Sequence, residues 1–242
     1  MYLPFYVLQK QRANNDLIAM FSPKRLIAAN LASYNEDVPR KYRSSLQFGY
    51  AYEHVVKAID ISDIVSTDAS RERTALLLAT YLAHWGMFRG SSNLKDTNVL
   101  FFKDLVHFLL RPKTGALIPI AKTRFEDLHD LEKGLIKSVI DNVGNFLDEN
   151  GISPTPTLIT KMILVLLGNM PAYDRIFKDG LGRLRAENKY DGVLAFGERG
   201  IKDLSEWYAH YAWPKVRSEV DARRYLPSGR LVDMAIFQYG RT

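Results

Sequence analysis

The chain contains no cysteine among its 242 residues. That excludes disulfides, thiolate metal sites and a cysteine nucleophile, and it fits a cytoplasmic protein. No apolar run reaches the roughly 18 residues that a membrane-spanning helix needs. The first residues, MYLPFYVLQKQR, are apolar before they are basic, the reverse of a secretory signal, and carry no small-residue cleavage site. The five histidines, His54, His84, His107, His129 and His210, stand apart, without an HExxH or paired His/Asp spacing. They give no support for a zinc site, and no cofactor is expected. There is also no GxxxxGK[ST] loop, no GxGxxG after a strand, and no GxSxG elbow. The enzyme classes that announce themselves by a local motif are thereby removed.

What is present reads as helical. Hydrophobic residues make up 47% of the chain and charged residues 25%, enough apolar material for a sizeable core. Residues 1–14 read as a docked arm or a short helix, and Asn15 or Asp16 caps a short apolar segment to Phe21. Ser22-Pro23 is a helix start, and Pro39 opens a longer helix through Ala58, interrupted from Asp60 to Ser66. Thr67 or Ser70 starts a helix that is apolar on nearly every side and ends at Gly86. Asn98 to Leu110 forms another, with its exit at Arg111-Pro112. Ala116 to Ile120 is the one short β-like run. Thr123 to Glu149 reads as a single long amphipathic helix closed by Gly151. Glu187 to Gly197 is a loop, and Glu198 to Arg223 a helix with a bend near Pro214. A last short helix follows Pro227-Ser228. The expectation is an all-α protein, one helical domain over 1–242, with 1–121 and 122–242 as possible lobes flanking a cleft.

The most informative stretch is Ser153 to Phe177, SPTPTLITKMILVLLGNMPAYDRIF. Thr155 or Thr157 caps a helix that carries one lysine, Lys161, among Ile159, Met162, Ile163 and Leu166. A buried lysine loses affinity for its proton unless it finds a partner or reaches water. After a glycine–proline break, Asp174 stands at the start of the next helix, where the helix dipole favours a carboxylate. Lys161 and Asp174 are the candidate catalytic residues. They equally fit a local role, Asp174 as cap and Lys161 as its ion-pair mate. The turn Arg89-Gly90-Ser91-Ser92, which follows Trp85 in WGMFRGSS at the end of an earlier helix, is a candidate anion or phosphate seat through its backbone donors and one guanidinium. Tyr173 and Arg175 flank Asp174.

The net charge of +6 and pI near 9.3 favour an anionic partner. Positive clusters lie at Arg40-Lys41-Arg43, at Arg183-Arg185-Lys189, and at Lys215-Arg217 with Arg223-Arg224.

The motifs WGMFRGSS and PAYDRIF resemble those of a bacterial all-helical family without an assigned function. The order lysine, apolar helix, short break and P-x-x-D also resembles, over about 25 residues, the helix-hairpin-helix DNA glycosylase superfamily. Gly151-Ile152-Ser153-Pro154-Thr155 occupies the place of that superfamily's glycine-rich hairpin. The resemblance implies a DNA-binding hydrolase that cleaves the N-glycosidic bond of a flipped base. In that picture Asp174 stabilises the sugar cation or orients water, and Lys161 is a Schiff-base nucleophile or charge partner. Tyr173 and Trp85 would line the base pocket, and Arg89 and Arg175 would hold phosphates. The alternatives are a non-enzymatic helical module that docks protein or nucleic acid, and an enzyme acting on a free nucleoside or nucleotide.

Overall fold

A computed structural model describes residues 51–52, 61–88, 93–211 and 227–241. The expectations for residues 1–50 and 53–60, for the turn Arg89–Ser92 and for the bend near Pro214 lie outside them. Numbered within these residues, the helices are α1 (Ile61–Ser66), α2 (Asp68–His84), α3 (Val99–Leu110), α4 (Leu135–Glu149), α5 (Pro156–Leu167), α6 (Arg175–Ala186), α7 (Glu198–Tyr211) and α8 (Ser228–Arg241). Short 3₁₀ turns cover Leu94–Asp96, Ile118–Ile120 and Phe125–Asp130, and no strand occurs among the described residues. The fold is all-α. Among the described residues no helix is long and apolar enough to cross a membrane.

Local capping sets most of the boundaries. The Thr67 side chain accepts from the Ser70 amide, Asn98 from those of Leu100 and Phe101, Thr155 from that of Leu158, and Asp174 from that of Phe177. Each satisfies an amide that the first helical turn leaves without a partner. At the other end of α5, Gly168 takes the left-handed conformation (φ 68°) and its amide bonds the Leu164 carbonyl.

Three expectations are corrected. Of the interruption expected at Asp60–Ser66, Ile61–Ser66 is instead helix α1, whose Ile64 and Val65 are buried and whose Val65 carbonyl accepts from the Arg71 guanidinium at 2.8 Å. The β-like run at 116–120 is a 3₁₀ turn. Ala116 and Leu117 donate back to the carbonyls of Phe108 and Leu109 (both 3.0 Å), which folds the run onto the end of α3 instead of extending it. The long helix from Thr123 to Glu149 is broken. Residues 125–130 form 3₁₀ turns, Gly134 is left-handed (φ 92°), and α4 begins at Leu135.

The cause of that break is tertiary. Ser205 of α7 accepts from the His129 amide (3.0 Å) and donates to the Phe125 carbonyl (2.7 Å). The Glu198 carboxylate accepts from the Gly134 amide at 2.7 Å, and the Lys202 ammonium bonds the Leu131 carbonyl. Glu198, Lys202 and Ser205 share one face of α7 at i, i+4 and i+7. Together they take up backbone groups that a continuous helix would have paired internally.

Helix α5 runs through the interior, with Leu158 to Leu166 buried without interruption. Against the segment that follows it lies α8, which crosses α6 at very close range. A Cβ on Gly180 would stand 2.2 Å from the Ile236 carbonyl oxygen, and one on Gly240 would stand 2.0 Å from that of Ile176. The backbones approach because neither position carries a side chain. Gly229 adds a hydrogen bond from its amide to the Gly168 carbonyl at 3.0 Å. This contact fixes where α8 presents Arg230 and Asp233. Gly180→Ala and Gly240→Ala should each lower stability by about 1–3 kcal/mol, because backbone atoms must move aside. Urea denaturation of the two variants measures it, and an unchanged midpoint would contradict the close crossing.

Candidate functional site

The break between α5 and α6 is held by threonines. Thr157 donates to the Tyr173 carbonyl (3.0 Å), and Thr160 accepts from the Tyr173 amide (2.9 Å). Both lie on the α5 face that carries Lys161, at i, i+3 and i+4. Asn169 anchors the start of the break by donating to the carbonyls of Ile120 (2.7 Å) and Thr123 (3.1 Å). With the segment fixed at both ends, Asp174 arrives beside Lys161.

The Lys161 ammonium lies 3.2 Å from Asp174 Oδ2, while Asp174 Oδ1 accepts from the Phe177 amide at 2.9 Å. The lysine side chain is 4% exposed and the aspartate 18%, so the acid is the member of the pair that water reaches. The ammonium also sits 3.9 Å from the centre of the Trp85 ring, a cation–π contact at the end of α2. Trp85 further packs edge-on against Tyr81 and Phe237. Sequence reasoning thus pairs Lys161, Asp174 and Trp85, and the fold brings these three together.

Two further charges complete the cluster, and sequence reasoning missed both. Arg230 and Asp233 of α8 form a buried ion pair, and Arg230 stands 5.8 Å from the centre of the same Trp85 ring. Asp233 Oδ1 accepts from the Ala172 amide at 2.9 Å, which ties α8 to the break immediately before Asp174. Two cations and two carboxylates therefore balance. Burial pushes the Asp233 carboxyl up and the Lys161 ammonium down, the latter against the opposing pull of Asp174 and Asp233. Tyr81, wholly buried beside Arg230, Asp233 and Asp174, is likewise pushed up by burial. The signal for the missed pair was available, since Arg230 and Asp233 are charges at i, i+3 in a helix otherwise apolar along that face.

The remaining candidates fall elsewhere. The Tyr173 ring is fully buried against Phe177 and Phe196, with its hydroxyl on the side of Tyr190 and Asp203. Its main chain, not its ring, serves the pair. Arg175 is exposed on the first turn of α6. Arg89 lies outside the described residues. No group of three metal-ligating side chains occurs among the described residues.

Comparison with protein-family models, with curated proteins and with solved structures finds no match for this chain.

Two outcomes follow from the cluster. Asp233→Leu leaves Arg230 buried without its acid and should cost about 3–5 kcal/mol, whereas Arg230→Met combined with Asp233→Leu should recover part of that loss. Thermal or urea unfolding of both variants checks it. The second outcome concerns pH. Folding lowers the Lys161 pKa from 10.5, so the unfolded chain holds that proton more tightly. The contribution of this group to stability is therefore present above 10.5 and lost as pH falls through the folded value. In Lys161→Met this slope disappears. The difference in unfolding free energy, wild type minus variant, should rise between pH 7 and 10.5, and a flat difference would contradict the burial of a charged amine.

Proposed function

We propose that this protein binds DNA and hydrolyses the N-glycosidic bond of a base turned out of the stack, with Asp174 as the group that faces the reacting sugar. The observation that carries the reading is the Lys161–Asp174 contact of 3.2 Å, in which the lysine is sealed off and the acid remains open to water. As the bond from C1′ to the base breaks, the base leaves with the electron pair and positive charge builds on the sugar. An ionised carboxylate at Asp174 opposes that charge, and the oxygen of an incoming water closes the bond to C1′ while its proton is released. Lys161 holds the Asp174 carboxyl group in place at 3.2 Å. Its weakened hold on its proton also supports the variant chemistry, in which the neutral amine attacks C1′ itself. Trp85 supplies the aromatic face at the site. Arg175, next in the chain and exposed, would meet a phosphate. Tyr173 contributes by positioning Asp174 through Thr157 and Thr160.

A second reading, a helical module without catalytic activity that docks protein or nucleic acid, is favoured by one observation. Both oxygens of Asp174 are already engaged, one by an amide of its own helix and one by Lys161. In that reading the cluster is a clamp that joins α5, α6 and α8.

Asparagine caps helices as well as aspartate does, so Asp174→Asn keeps the start of α6 and removes only the charge. On duplexes carrying uracil, hypoxanthine or 8-oxoguanine, this variant should release base at least about 100-fold more slowly than wild type while still folded, with a melting temperature lowered by the loss of the buried Lys161 counter-charge. Borohydride should trap wild type on DNA, but not Lys161→Gln, if the amine is the nucleophile. Base release by Asp174→Asn at the wild-type rate would remove Asp174 from the mechanism. Absence of release by the wild type from every duplex would favour the docking module.

A further inference from the structure

Helix α6 carries a feature that the cluster does not use. Arg175, Lys178 and Arg185 are all exposed and stand at i, i+3 and i+10, on one side of the helix. They run for about 15 Å from the residue after Asp174, the length of four to five nucleotide steps of a DNA strand at about 3.4 Å each. None of the three makes an ion pair among the described residues. Arg183, to one side, is drawn towards α8 and donates to the Tyr239 carbonyl at 3.1 Å. The single acid of the helix, Asp179, is exposed beside Arg175 at the edge of this stripe.

Between Lys178 and Arg185, on the same side, lies Gly182. A glycine inside a helix destabilises it relative to alanine, and natural helices retain one where packing demands it. Packing makes no such demand here, because a Cβ on Gly182 would meet nothing within 4 Å, whereas one on Gly180, two residues earlier, would strike the α8 backbone. Gly182 therefore leaves bare helix backbone in the middle of a basic row.

We infer that the outward stripe of α6, formed by Arg175, Lys178 and Arg185 with Gly182 left open between them, is a track for a DNA strand that begins beside Asp174. The inference deepens the reading of a DNA-acting site and rests on it for the identity of the polyanion. The long cations neutralise successive phosphates, and the gap at Gly182 lets the sugar-phosphate chain lie against the helix. Such contacts position the strand without reading its bases. The track would hold the DNA in register while the flipped nucleotide reaches Trp85 and Asp174.

The test measures binding of a labelled 20-nucleotide single strand and of its duplex by fluorescence anisotropy from 50 to 200 mM KCl. Arg175→Gln, Lys178→Gln and Arg185→Gln combined should flatten the dependence of log Kd on log salt by about 2 to 3 units. A control with the same loss of charge, Lys95→Gln, Lys113→Gln and Lys133→Gln, removes exposed lysines away from α6 and should flatten it far less. Gly182→Ala should raise the melting temperature and yet weaken DNA binding severalfold, a combination that a solvated face would not produce. Equal losses in the stripe and control variants, unchanged binding in both, or no DNA binding by wild type would overturn the track. Base release separates the two claims. Binding that depends on the stripe, with no release from any duplex, leaves the track standing and removes the glycosidic reading. Release from free nucleosides without DNA binding does the reverse.

Discussion

A positive charge in the middle of an apolar helix has to be neutralised where it stands, and much of this molecule is arranged around that requirement at Lys161. The amine sits on a helix buried along nearly its whole length, so the fold brings its partners to it. Asp174 comes from the next helix, the Trp85 ring from α2, and Asp233 with Arg230 from α8. Four elements distant in sequence meet because one of them carries a lysine. The same need explains why the break after α5 is pinned so thoroughly. A loose segment would let Asp174 drift, and the charge would then be buried without compensation.

The cluster also concentrates several stabilising devices in one place. A cap, an ion pair and a cation–π contact are ordinary stabilising devices, and here all three converge on two residues. What singles out Asp174 is its access to water beside a sealed partner. The asymmetry between 4% and 18% exposure leaves the acid, and not the amine, within reach of solvent.

How much of this could be read from the residues depended on how far the causes lie along the chain. Helix starts at Thr67, Asn98, Thr155 and Asp174 were legible because a cap acts on amides two or three residues away. So was the pairing of Lys161 with Asp174, thirteen positions apart across one turn. The split of the segment 123–149 was not legible, since Glu198, Lys202 and Ser205 cause it from some seventy residues downstream. Arg230 and Asp233 were visible as a charged i, i+3 pair, but their place beside Lys161 is set by packing some sixty residues away. The direction of the Tyr173 ring was hidden too, because packing against Phe177 and Phe196 decides it and spacing does not.

The order of these elements along the chain has a consequence for synthesis. Lys161 and Asp174 leave the ribosome some sixty to seventy residues ahead of Asp233, so a nascent chain that still lacks α8 carries only two of the four clustered charges. The amide of Ala172 then waits for an acceptor, and the glycine faces of α6 remain open to water. Docking of α8 thus supplies at once the acceptor for that amide and the second half of the charge cluster.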